Sequence, residues 1–148
     1  MKEAALSQLE LKNDQGEKYV TFSQRPDYIF AKWKGHITAD DVINAAKSFL
    51  AFIKEHPCGK FLNDKSEVTG DWQDANDWLE YEWMPAVYKA GLRCMAHIYS
   101  YSMFSQLSAR DLRARIDPPL LMKNFMEFDA AETWLHNCRT SPLQQKSA

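Results

Sequence analysis

Leu92-Arg93-Cys94-Met95-Ala96-His97-Ile98-Tyr99 reads as the best buried strand of the chain, apolar on both faces except at Arg93 and His97. A short run of this kind, with Gly91 before it, suits a strand covered on both sides, as in a parallel sheet sandwiched by helices. Outward from it the pattern alternates. Ser102 to Arg115 reads as a helix broken by Asp117-Pro118-Pro119, and Leu120 to Glu127 as a further strand. A last helix starts at Asp129 or a neighbour and runs through Trp134 and Leu135.

Towards the N-terminus, Asp71 to Lys89 reads as a helix that takes its apolar area from Trp72, Ala75, Trp78, Leu79 and Trp83. Pro85 lacks a backbone donor, so it either kinks this helix or begins a new segment. Lys60 to Asp64 is a short strand, followed by a polar loop through Gly70. Before it, Val42, Ala46, Phe49, Leu50 and Ile53 recur at three- and four-residue steps, the stripe of a helix facing a core. Thr38 and Asp41 have the spacing of a capping box at its start, and His56-Pro57-Cys58-Gly59 stops it.

Lys18 to Ser23 and Tyr28 to Lys34, around Arg25-Pro26-Asp27, predict an antiparallel strand pair. Leu6 to Lys12 is extended, and Asn13-Asp14-Gln15-Gly16 is a turn. Strands separated by helical lengths of chain call for right-handed crossovers. The expected fold is therefore one α/β domain over 1–138, with a mixed, mostly parallel sheet and an antiparallel N-terminal edge. Residues 139–148 read as a polar tail.

Composition narrows the function classes. Of 148 residues, 45% are hydrophobic and 26% charged, the proportions of a packed globule. A formal charge of −2 gives no global attraction to nucleic acid. No window reaches the ~18 apolar residues of a membrane span, and Met1 to Ser7 does not read as a secretory signal. Cys58, Cys94 and Cys138 are odd in number, widely spaced and without a C-x-x-C pair, which points to reduced thiols in a cytoplasm. His36, His56, His97 and His136 show no metal-ligand spacing, and His97 reads as a hydrogen-bonded core histidine. Neither a G-x-S-x-G elbow nor a phosphate-binding P-loop is present, so no catalytic residue, metal or cofactor is assigned.

Several motifs resemble the SpoIIAA-like proteins, relatives of the STAS domain of anti-sigma-factor antagonists. They are Trp33-x-Gly35-x-Ile37-Thr38, Lys60-Phe61-Leu62-x-Asp64, Glu82-Trp83-Met84-Pro85-Ala86-Val87, Gly91-Leu92-Arg93-Cys94-Met95-Ala96 and Phe125-x5-Ala131-x2-Trp134-Leu135. The resemblance runs from roughly Tyr19 to Leu135. The resemblance implies βα units winding over one sheet, and its relatives include protein-interaction switches and, more distantly, lipid-carrying CRAL-TRIO domains. In the switch proteins a phosphorylatable serine follows an aspartate at the end of the third strand. Here that stretch is Asn63-Asp64-Lys65-Ser66-Glu67, with Asp64 in place and Ser66 as the candidate phosphorylation site. The Asp-Ser dipeptide and the small residues after it are missing.

The aromatic content, 13%, is high. Phe30, Trp33, Phe49 and Trp134 fall at core positions, which leaves two unassigned segments. Trp72, Trp78 and Trp83 lie among Glu67, Asp71, Asp74, Asp77, Glu80 and Glu82, and read either as the buried face of an acidic helix or as the wall of a pocket or partner surface. Ser100, Tyr101, Ser102, Met103 and Phe104 follow the buried strand, where open α/β sheets bind ligands. With Asp64, Lys65 and Ser66 they could line one crevice; alternatively Ser100 or Ser102 merely caps the helix. Arg110, Arg113 and Arg115 answer the acidic segment rather than nucleic acid.

The resulting expectation is a non-enzymatic interaction module that binds itself, as a homodimer, or another protein. The alternative is a carrier or sensor of a small apolar or amphipathic ligand. An enzyme using Asp64, Tyr101 or His97 as acid or base requires those side chains to converge on one cleft.

Overall fold

The computed structural model describes residues 7–139, so the expected polar tail lies outside the described residues except for Arg139. Asn13 Oδ1 accepts from the backbone N–H groups of Gln15 and Glu17, and this turn joins β1 (Gln8–Lys12) to β2 (Lys18–Gln24). Arg25 N–H donates to the Tyr28 carbonyl and turns the chain into β3 (Ile29–His36). The expected antiparallel pair is thus a three-strand meander, because the edge of β2 recruits the extended segment before the Asn13 turn.

From β3 onward every pairing is parallel. β4 (Lys60–Thr69), β5 (Cys94–Ile98) and β6 (Leu121–Phe125) follow in sequential order, making one six-stranded mixed sheet. Crossovers of one hand between sequential strands place their helices on one face. α1 (Ala39–Glu55) carries the capping box, with Asp41 N–H donating to Thr38 Oγ1 and Thr38 N–H to Asp41 Oδ2. Phe49, on its buried stripe, stacks on Phe61 at 4.1 Å between ring centroids.

The second crossover is irregular. Helix α2 runs through a 3-10 turn (Gln73–Ala75), an α turn (Asn76–Trp78), a π-helical turn (Leu79–Trp83) and an α-helical end (Met84–Lys89). Met84 N–H bonds back five residues to the Leu79 carbonyl, so Pro85 stands where the hydrogen-bond register changes. Its missing donor begins a new segment there. α3 (Met103–Arg115) lies on the same face as α1 and α2. α4 (Phe128–Asn137) alone covers the other face, over Tyr28, Leu62, Ala96 and Ile98.

Two local features position the site. β4 is longer than expected and carries a bulge: Lys32 pairs with Asp64 but Lys34 with Glu67, so two steps of β3 face three of β4. Lys65 and Val68, three residues apart, consequently both reach the α1–α3 face. At the end of β4, Gly70 has φ 110° and its backbone packs so closely on the Ile37 carbonyl that a side chain there would collide. The expectation of reduced thiols holds for Cys58 alone, since Cys94 and Cys138 form a disulfide joining β5 to the end of α4. Residues 44 apart in sequence meet here because α4 folds back over β5, which spacing does not reveal.

Candidate functional site

A polar row crosses the otherwise apolar α1–α3 face. Asn63, His97 and Asn124 are register partners on β4, β5 and β6, so their side chains stand side by side. Trp33 Nε1–H donates to Asn63 Oδ1 at 2.6 Å. Asn124 donates through Nδ2 to the Ala109 carbonyl, which leaves its Oδ1 to accept from His97 Nδ1 at 3.1 Å. That network assigns the hydrogen to Nδ1 and leaves His97 Nε2 as a lone-pair acceptor, buried and without a partner among the described residues. Burial first, and the field of Lys65 second, hold the His97 imidazole well below its usual pKa.

Lys65 lies among these groups. Strand alternation after Phe61 and Asn63 points it inward, where its Nζ sits over two indole rings, 3.9 Å from the Trp72 centroid and 4.7 Å from that of Trp33. The residue is 3% exposed, and no carboxylate lies within 4 Å of the amine among the described residues. Burial lowers its pKa to about 7. Among the described residues Trp72 Nε1 and Asn76 Oδ1 are likewise buried without partners, and the Trp72 and His97 rings meet edge-on at 5.9 Å. Beside Lys65 and Asn63 is a cavity of about 30 Å³, walled by Trp33, Phe49, Leu79 and Trp83.

The residues singled out from the sequence do not share one crevice. Asp64 and Ser66 stay with Lys32, which contacts Asp64 at 3.2 Å, Glu67 at 3.0 Å and Ser66 Oγ at 3.5 Å. Burial works against the Lys32 charge, but the hydrogen bond to Glu67 and the field of Asp64 outweigh it and raise the pKa. Trp72 and Trp83 are core residues, the latter donating to the Ala46 carbonyl at 2.8 Å, while Trp78 is half-buried. The space expected between β4 and the start of α3 is filled. Ser105 donates to the Gly70 carbonyl, and Ser108 Oγ accepts from Trp72 N–H. Asp64, Tyr101 and His97 do not converge: Asp64 faces the α4 side with Lys32, His97 the α1–α3 side, and Tyr101 solvent.

Ser100 is buried and accepts from the backbone N–H of Ser102, whose own side chain makes no cap bond. The turn they form projects an apolar patch. Tyr101 is 79% exposed, Met103 71%, Phe104 60% and Leu107 47%. Of the arginines, Arg115 answers the acidic segment directly, bonding Asp77 at 2.7 Å, Glu80 at 3.0 Å and Asp111 at 2.9 Å.

Trp33, Asn63 and Asn124 were not among the expected site residues. Their signal was a polar side chain on the inward parity of a strand, Asn63 two residues after Phe61 and Asn124 two after Met122. Neither a scan against protein-family models nor a comparison with curated proteins finds a match for the chain.

Proposed function

We propose that the chain is a non-enzymatic interaction module of the SpoIIAA/STAS-like type, which pairs with a second copy of itself. The observation that carries this reading is the exposed apolar patch of Tyr101, Met103, Phe104 and Leu107. Four large apolar side chains on one helix start cost free energy in water, and aromatic residues and methionine are the types that interface centres favour. Arg110 and Arg113, exposed further along α3, supply a polar border. A patch of this kind is self-complementary about a two-fold axis. The sequential βα winding, with three helices on one face, agrees with the architecture the family resemblance implies.

Sedimentation equilibrium across a wide concentration range tests the reading. The wild-type chain is expected to dimerise, and the double variant Met103→Glu/Phe104→Glu to remain monomeric with an unchanged circular dichroism spectrum. A wild-type chain that stays monomeric at the highest concentration overturns self-association. A carrier of a lipid-like ligand has less support. Trp72 and Trp83 belong to the core, and the cavity beside Trp83 has room for about two waters.

A further inference from the structure

The core of this molecule holds an amine that its fold does not explain. A buried ammonium ordinarily pairs with a carboxylate, because removing its hydration costs several kcal/mol. Lys32, on the opposite face of the sheet, follows that rule with Asp64 and Glu67. Lys65 does not. Indole rings flank it, and the acceptor nearest in chemistry, His97 Nε2, belongs to a ring kept neutral by burial first and by the lysine's field second. An apolar side chain at position 65 would fill the same space at lower cost, so the amine reads as a group retained for chemistry.

We propose that Lys65 is a covalent capture site for a short aliphatic aldehyde, which enters the cavity beside it and condenses with Nζ. Three observations converge on this chemistry. An amine lowered by burial to about 7 is about half unprotonated at neutral pH, and the unprotonated form attacks a carbonyl carbon. The cavity of about 30 Å³ is lined by Lys65 and has room for about two heavy atoms, the size of the smallest aldehyde. Its other walls are mostly apolar, so they favour a neutral product and the departure of water. The same walls disfavour a charged ligand, which would find no second ion.

The step balances without an oxidant or a metal. The Nζ lone pair forms the C–N bond while the carbonyl π pair moves to oxygen. Both amine protons then leave with that oxygen as water, and a neutral C=N bond remains. Entry is through α2. That helix carries Leu79 and Trp83 over the site, and it changes from 3-10 to α to π to α geometry within seventeen residues, Gln73 to Lys89. Such irregular segments open locally at low cost, and π turns recur beside functional sites.

The test is reductive trapping of the folded chain at pH 7 with formaldehyde and cyanoborohydride, followed by peptide mass spectrometry. Lys65 is expected to gain a methyl group at an initial rate at least about tenfold above the exposed Lys12, Lys18 and Lys34. The variant Lys65→Met is expected to lose this fast adduct and keep the slow ones. Labelling of Lys65 no faster than the exposed lysines, or only after the chain is unfolded in urea, overturns the proposal. This outcome is read on the wild-type chain, so it holds whether or not the variant folds, and it is independent of self-association.

Discussion

Lys65 holds its amine 3.9 Å from the centre of the Trp72 ring, an indole that is itself fully buried, with no carboxylate beside it among the described residues. The contact joins a β4 bulge to the first turn of an irregular helix. It places the folded state's least compensated charge under its most irregular backbone.

Stability should therefore depend on pH through Lys65. Its folded pKa, about 7, lies below the ordinary lysine value of ~10.4, so above pH 7 the unfolded chain binds the extra proton. Stability contributed by this residue rises with pH across that window and is lost as pH falls through about 7. Lys65→Met removes the dependence. It is expected to gain about 1–4 kcal/mol over wild type at pH 6, a gain that shrinks towards pH 10, in urea unfolding followed by tryptophan fluorescence. A gain that is constant with pH contradicts the assignment.

The cap of α1 gives a second, local prediction. Thr38→Ala removes the acceptor for Asp41 N–H and one half of the capping box. A loss of about 1 kcal/mol is expected in the urea midpoint. Thr38→Ser should recover most of it, because the hydroxyl acceptor returns.

Reduction or Cys138→Ser frees the end of α4 from β5. The bridge closes a loop of 44 residues, and its removal is expected to cost about 2–4 kcal/mol. Amide exchange should quicken first in α4, the single element covering Leu62, Ala96 and Ile98. Tyr28 Oη, which donates to Glu132 at 2.6 Å, and Lys60 Nζ, which donates to the His136 carbonyl at 2.8 Å, keep the helix in place in the variant. A global unfolding without that order would argue against a separate α4 layer.

Arg115 tests the surface network. Its three carboxylate partners hold the guanidinium pKa above its ordinary value, the hydrogen bond to Asp77 being the largest cause. The group is partly exposed, so water and salt screen it. Arg115→Ala is expected to cost no more than about 1 kcal/mol at low salt, and less at high salt. An equal loss at both salt concentrations would assign the effect to packing of the side-chain stem.

How much of this was legible in the sequence differs by element. The strand around Ala96 and the stripe and cap of α1 are local: period, turn residues and hydrogen-bonding side chains a few positions apart define them. The same is true of β2 and β3. The run after Asp64 looks like a polar loop because Lys65, Ser66 and Glu67 are all polar, yet it is strand. A bulge there reverses the face of each following residue, and neighbours on β3 decide whether a bulge is tolerated.

The candidate site lay mostly outside that reach. Asp64, Lys65 and Ser66 are adjacent in the chain, but the period of two and the bulge send Lys65 to one face and leave Asp64 and Ser66 with Lys32 on the other. Exposure of Tyr101, Met103 and Phe104 depends on what covers α3, which no local pattern encodes. The sequence by itself determined the order of strands and helices, because that order follows from short-range periodicity and caps. Tertiary structure alone decided which side chains meet: the lysine between two indoles, the histidine between two asparagines and the cysteines across α4. Those encounters are fixed by strand register and layer packing, which join residues distant in sequence.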